Sequence, residues 1–277
     1  MNICQPKWIH RLISLGIACL PLAAVADERL SLAWTNNLLT ISSPRLPGGK
    51  LEVFYLEAFC RPGAARRTWD QTVFPHKTTL ISAEPHQLRF RTMVQPAVEV
   101  LHEARAGEDE VEFRFALRNQ GTQAAAIDWF QPACIRVDRF TGCGQSNYIA
   151  RSFIFTGRGL TTLDKARRAT EALYRGGQVF LPAGIHPDDA NPRPLSRDQP
   201  TNGLIGCFSA DGRLLLATAS DRTHELFEGV FVCLHSDPRV GGLAAGETKQ
   251  IRAKLYLLPN RPEELLKRYR GDFPNGR

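Results

Sequence analysis

Six residues of this 277-residue chain have the types and settings to pass protons: His76, His224 and His235, and the carboxylates Glu57, Glu225 and Asp237. An imidazole and a carboxyl on opposite sides of a bound sugar can serve as acid and base at the anomeric carbon or beside a uronate carboxyl, with an arginine neutralising negative charge. Arg61, Arg139 and Arg175 are the candidate anion holders. Trp69, in the Arg-rich stretch Cys60 to Pro75, the neighbours Trp129 and Gln131, and Asn202 are the candidate ring contacts. An indole stacks on the C–H face of a sugar, and an amide meets its hydroxyls. Each residue also has an ordinary structural reading. Glu57 shares a strand face with Leu51, Val53, Tyr55 and Phe59, where an inward carboxylate answers a nearby cation. Trp129 and Gln131 suit a packed core equally well.

The elements that must position these residues are strands. Gly203 to Ser209 and Leu214 to Ser220 are apolar runs joined by Ala210-Asp211-Gly212-Arg213, a hairpin signal, and Gly229 to Leu234 is a third run. Apolar at nearly every position, they predict strands covered on both faces at the centre of a large sheet. Polar chemistry is left to their ends: Asn202 before the first, His224 and Glu225 between the second and third, and His235-Ser236-Asp237 after the third. Upstream, a hairpin turned at Asn36-Asn37, a strand from Leu51 to Phe59 and another opening at His76 are expected. Val98 to Leu101 and Val111 to Leu117 alternate around the turn Gly107-Glu108-Asp109-Glu110, and His102 falls on the apolar face as a hydrogen-bonded core histidine. Ile127 to Gln131, Ile135 to Phe140, Arg151 to Thr156 and Val179 to Leu181 add strands. Leu163 to Tyr174 has helical composition, and Pro182 to Thr201 is a long proline-rich loop of the kind that forms lids. Asn260 as N-cap, Pro262 and Glu263 open a last helix with the stripe Leu265, Leu266 and Tyr269. The expected class is all-β: a large antiparallel β-sandwich with a short mid-chain helix and a C-terminal helix.

Lys7, Arg11, the apolar run Leu12 to Ala23 and the ending Ala24-Val25-Ala26 read as an export signal, which leaves 27–277 as a single β-sandwich domain, secreted or periplasmic. Without the signal's two cations the net charge falls from +7 to +5, most of it from Arg, which grips carboxylates or sulfates bidentately but also serves as dispersed surface charge. No nucleic-acid-binding signature accompanies that charge, and no later run is long enough for a membrane span, so neither partner is expected. Of Cys60, Cys134, Cys143, Cys207 and Cys233, the last two read as small buried hydrophobes, and Cys134 with Cys143 is the pair placed for a disulfide. With no Cys-x-x-Cys, and no EF-hand spacing in the oxygen-rich loop, neither metal nor cofactor is expected.

Pro96 to Asn119, in which Val98-Glu99-Val100 leads to a Phe-rich strand and an Asn-x-Gly turn, resembles the middle of galactose-mutarotase-like supersandwich proteins. Gly242-Leu243 through Gly246-Glu247-Thr248 is similar to the end of such domains. The chain is also similar to secreted bacterial proteins that share stretches such as Glu171-Ala172-Leu173-Tyr174-Arg175-Gly176-Gly177, a likeness that brings no activity with it. The first resemblance implies a carbohydrate ligand, since that superfamily epimerises sugars, forms parts of lyases and glycosidases, or binds glycans. Its His-x-Tyr-Phe-Asn signature is missing, so no catalytic residue is carried across. Three readings stand open: an epimerase- or lyase-like enzyme acting on an anionic or neutral sugar, a glycan-binding protein without chemistry, and a structural envelope component. An enzyme should gather a His, a carboxylate and an Arg around one cavity.

Overall fold

The computed structural model describes residues 29–276, and the expected export signal lies outside them. Among the described residues, two large antiparallel sheets pack face to face. One has seven strands in the spatial order Ser31–Thr35, Leu38–Ser42, Lys50–Phe54, Cys134–Arg136, Cys233–Pro238, Thr223–Glu228, Gln178–Phe180. The other has nine, in the order Gly159–Thr162, Ser152–Thr156, Pro200–Phe208, Leu214–Ser220, Thr248–Pro259, Glu110–Asn119, Val98–Ala106, Gln87–Val94, His76–Glu84. A two-stranded ribbon pairs Ala58–Cys60 with Trp129–Gln131. No helix among the described residues is long and apolar enough to cross a membrane.

Period-two patterning builds the core as expected. Val98, Val100, His102, Ala104 and Ala106 point inward from one strand, and Val111, Phe113, Phe115 and Leu117 from its partner. His102 is the hydrogen-bonded core histidine, 2.8 Å from the Tyr55 hydroxyl and 2.9 Å from that of Thr92. Leu214–Ser220 is covered on both faces: Leu216 joins the inter-sheet core, while Leu215, Ala217 and Ala219 pack with Leu265, Tyr269 and Phe273 around the helix Pro262–Asp272. That helix begins after Arg261, and Asn260 instead ties its amide to the Gly212 carbonyl.

Several expectations need correction. The polar stretch after Ser220 is itself a strand, Thr223–Glu228, and with Cys233–Pro238 it lies in the seven-stranded sheet, across from the first two runs. Its Glu225 and Phe227 face outward yet are roofed by loops, so polar residues occupy a buried surface that periodicity alone reads as a connection. The run from Leu51 divides after Phe54, and Ala58–Cys60 leaves for the ribbon, so Glu57 is no longer on the face of Leu51 and Val53. Ile135 to Phe140 gives only Cys134–Arg136 before the four-residue helix Asp138–Thr141. Leu163 to Tyr174 contributes a single 3-10 turn, Leu163–Lys165, because Arg168 is drawn into a two-pronged ion pair with buried Glu228. Cys143 does not bridge Cys134: its thiol donates to the Thr141 carbonyl, and Cys134 faces Cys233.

Candidate functional site

Antiparallel register assembles the site on the outer face of the seven-stranded sheet. Glu225 stands opposite Asp237 and Phe227 opposite His235, so these four share one face. Cys233 is two residues before His235 and falls on the same face. On the next strand Ile135 pairs with Leu234, which places Cys134 beside His235. Leu226, Leu234 and Ile135, at the intervening positions, point into the sandwich core and hold the strands rigidly. The segment after Lys50–Phe54 brings Glu57 over the cluster, and the loops around Trp69, Tyr174 and Asn191 to Arg193 wall it in. They enclose a cavity of about 270 Å³ lined by Glu57, Trp69, Gln131, Cys134, Tyr174, Asn191, Arg193, Phe227, Phe231, Cys233 and His235.

His235 is the hub. Its Nε2 lies 3.5 Å from Cys233 Sγ and 4.0 Å from Glu57 Oε2, and its Nδ1 lies 3.6 Å from Asp237 Oδ1. Asp237 accepts from the Gln131 amide at 3.1 Å through its other oxygen. Burial disfavours the imidazolium, but the Asp237 carboxylate and the Cys233 sulfur facing it prevail and hold His235 well above the ordinary histidine value. Hydrogen bonding from Cys134 brings the Cys233 thiol down to about 4 against its burial, with His235 adding to the effect. Glu57 reaches solvent at the cavity mouth, yet the protein around its carboxyl raises its pKa, an effect that His235 tempers. Behind the floor, burial and the nearby Asp237 raise Glu225 well above the usual carboxylate range. Glu225 accepts from the Asn191 backbone N–H at 2.9 Å.

Of the residues the sequence singled out, Glu57, His235, Trp69 and Gln131 line this cavity, and Glu225 and Asp237 lie directly behind it. The others are elsewhere. His76 faces the carbonyls of Phe74 and Leu56 and packs on Phe59. His224 is sealed between a parallel stack on Trp129, with centroids 5.1 Å apart, and the Asp189 carbonyl; burial pushes it down to about 3. Trp129 is therefore a core ring rather than a sugar platform. Arg61 spends its guanidinium on the Val73 carbonyl and the Phe74 ring. Arg139 and Asn202 do not line the cavity, and Asn202 turns back on the Leu204 N–H. Arg175 is not among the lining residues, and its carbonyl accepts from Arg193. Arg193 is the cavity's arginine, over the Tyr174 ring at 5.3 Å. The sequence reading missed it together with Tyr174, Cys134 and Cys233. Cys233-Leu234-His235-Ser236-Asp237 carries a usable signal, three ionisable side chains at alternate positions of one strand, but a cysteine in an apolar run reads as a small hydrophobe.

No family model matches the chain, and no curated protein does. The fold is similar to several solved structures. A putative aldose 1-epimerase from Escherichia coli K12 is 10% identical, covering 82% of this chain and 98% of that one, with a TM-score of 0.43. A galactose mutarotase-like protein from Lactobacillus casei is 10% identical, covering 82% and 99%, with a TM-score of 0.43. A protein from Synechocystis sp. PCC 6803 is 11% identical, covering 84% and 92%, with a TM-score of 0.48. At these values the likeness is confined to the general course of the chain.

Proposed function

We propose that this chain is a secreted carbohydrate-directed enzyme whose cavity takes one sugar ring, with a hexuronate preferred over a neutral hexose. The observation that carries the reading is the convergence of a histidine, a carboxylate and an arginine, His235, Glu57 and Arg193, on one cavity beneath Trp69 and Tyr174. The aromatic rings offer stacking faces to a sugar's C–H surface, and Gln131 and Asn191 lie where hydroxyls would be met. Arg193 has no carboxylate partner among the described residues, so its charge is available to a uronate. Glu57 is the proton carrier of this reading: a carboxyl with a raised pKa, at the cavity mouth, can give a proton to a ring oxygen or take one from an anomeric hydroxyl.

The test is anomeric-exchange NMR and calorimetric binding with the mature protein on glucuronate, galacturonate and the matching hexoses. Glu57→Gln should bind but exchange roughly 10²–10⁴-fold more slowly, the ordinary share of a general acid–base. Arg193→Met should weaken the uronates and leave the hexoses unchanged. Absence of both binding and exchange on all four sugars would sink the proposal.

A further inference from the structure

We infer that Cys134, Cys233 and His235 bind a zinc ion at the floor of the cavity, with its fourth coordination position turned toward Glu57 and the open space. The site is independent of whether the cavity takes a sugar.

The two sulfurs and a ring nitrogen of His235 all lie within 4.8 Å of one another, and all three residues are buried. Tetrahedral zinc, with bonds of about 2.3 Å to sulfur and about 2.0 Å to nitrogen, sets a thiolate and an imidazole about 3.5 Å apart. The Cys233 Sγ to His235 Nε2 distance is 3.5 Å, the length of a sulfur–nitrogen hydrogen bond and equally that between two ligands of one ion. All three side chains stand on strands whose alternate residues are locked in the core, so little rearrangement is needed to close on a metal.

His235 Nδ1 is buried without a hydrogen bond, and the Asp237 carboxylate faces it at 3.6 Å, itself held by Gln131. A carboxylate behind a histidine that presents its other nitrogen to a common point is the second shell that fixes tautomer and orientation in metal centres. The neutral ring would then carry its proton on Nδ1 and leave the Nε2 lone pair free for the ion.

Charge and access agree with this. Two thiolates balance the charge of one divalent zinc, so the ligand set is itself neutral, and the Asp237 carboxylate behind it is held by the Gln131 amide. Two thiolates and an imidazole are a donor set that selects zinc over calcium or magnesium. Gly229 lies so close to the cluster that an added Cβ would stand 2.3 Å from Cys233 Sγ. The Gly229 backbone is therefore the part of the cavity wall that closes on the cluster, and the site is otherwise open to the cavity. Three protein ligands with a fourth position facing a cavity is the arrangement of catalytic rather than structural zinc. Binding releases to solvent the protons that the three ligands carry.

The experiment uses the full chain, reduced, stripped with chelator and titrated with cobalt(II), then with zinc. One cobalt per chain is expected, with thiolate-to-cobalt charge-transfer absorption and the visible bands of tetrahedral cobalt, displaced by one equivalent of zinc. Changes behind a ligand cost about 10–100-fold in affinity, so loss of a ligand in Cys134→Ser or His235→Ala should exceed that. Cys143→Ser, outside the cluster, should bind as the parent does, and circular dichroism identifies any variant that fails to fold. A cobalt spectrum without thiolate bands, equal zinc affinity in Cys134→Ser, or a Cys134 to Cys233 disulfide in the protein as isolated would each overturn the assignment. Glu57→Gln should keep its zinc, so a failure of the sugar reading leaves the metal result standing, and the reverse holds too.

Discussion

His235 Nδ1 faces Asp237 Oδ1 at 3.6 Å, from the same face of one strand, with Asp237 anchored from behind by Gln131. Because the carboxylate reaches the cavity only through the imidazole, Asp237 is a positioning residue. Asp237→Asn should leave the zinc count at one per chain but weaken affinity by about 10–100-fold. Gln131→Leu should reproduce a part of that loss by freeing Asp237 to turn. Competition with a chromophoric chelator measures both. Equal affinity in all three proteins would show that the contact does not orient the ring.

Glu225 and Asp237 occupy directly opposed positions on adjacent strands, and both are buried. Two carboxylates in so dry a place do not both ionise, and burial together with Asp237 raises Glu225, so Glu225 carries the proton. Glu225→Gln copies that protonated group and should unfold within roughly 0.5 kcal/mol of the parent. Glu225→Ala strands the Asn191 N–H that Glu225 now satisfies and opens a cavity, and should cost about 2 kcal/mol. Denaturant unfolding of the two variants at neutral pH decides this, and an equal cost for both would mean that Glu225 is ionised.

His102 gives stability a pH dependence of known sign. Burial pushes it down to about 3 from its ordinary 6.5, with the hydroxyls of Tyr55 and Thr92 as its hydrogen-bond partners. The unfolded chain therefore binds a proton that the folded one refuses. The contribution is complete above the unfolded value and is lost as pH falls from 6.5 toward 3. Near pH 5 the loss is about 2 kcal/mol from this group. His224, likewise down to about 3, adds its own share. His102→Gln, which can still meet Tyr55 and Thr92, should remove the first share, seen as a smaller gap between urea midpoints at neutral and mildly acidic pH.

The inter-sheet strands and the doubly covered hairpin were legible because their chemistry is local: alternation around Phe113 and Phe115, and Asp211-Gly212 between apolar runs, mean the same thing in most contexts. The C-terminal helix followed from Pro262 and the Leu265 and Tyr269 stripe. The helix expected over Leu163 to Tyr174 failed because its propensity is weak beside one tertiary contact, Arg168 on Glu228. The site was half legible. His235, Glu57 and Asp237 stood out by type, but their company is set by register between strands distant in sequence, which no spacing reveals. Cys134 and Cys233 were obscured for the same reason: a thiol among apolar neighbours looks inert until a second thiol and an imidazole arrive beside it from another strand.

The Arg168 and Glu228 pair also anchors the segment that carries Tyr174 over the cavity. Both terminal nitrogens of Arg168 meet the carboxylate, and the Glu228 side chain is 4% exposed against 32% for Arg168. Arg168→Met leaves a buried carboxyl whose pKa burial already raises, and should cost on the order of 2 kcal/mol, discounted for the exposure of the arginine. Because the same change loosens Tyr174, the apparent binding constant for any cavity ligand should weaken as well. Glu228→Gln with Arg168→Met should recover most of the stability without restoring the wall, and a double-mutant cycle separates the two effects.

Gly229 offers the most local test of the floor. Its backbone conformation is open to any residue, so only space forbids a side chain there, and the space is taken by Cys233 Sγ at 2.3 Å and His235 Nε2 at 3.6 Å from a built Cβ. Gly229→Ala must therefore displace the sulfur or the hairpin behind it, at a cost of roughly 1–3 kcal/mol for overpacking. The displaced sulfur should lower zinc affinity and shift the cobalt charge-transfer band, while Gly144→Ala, with nothing within 4 Å of its Cβ, should do neither. If Gly229→Ala unfolds like the parent and binds cobalt with an unchanged spectrum, the sulfur of Cys233 does not sit against that backbone, and the proposed ligand set loses the wall that closes it.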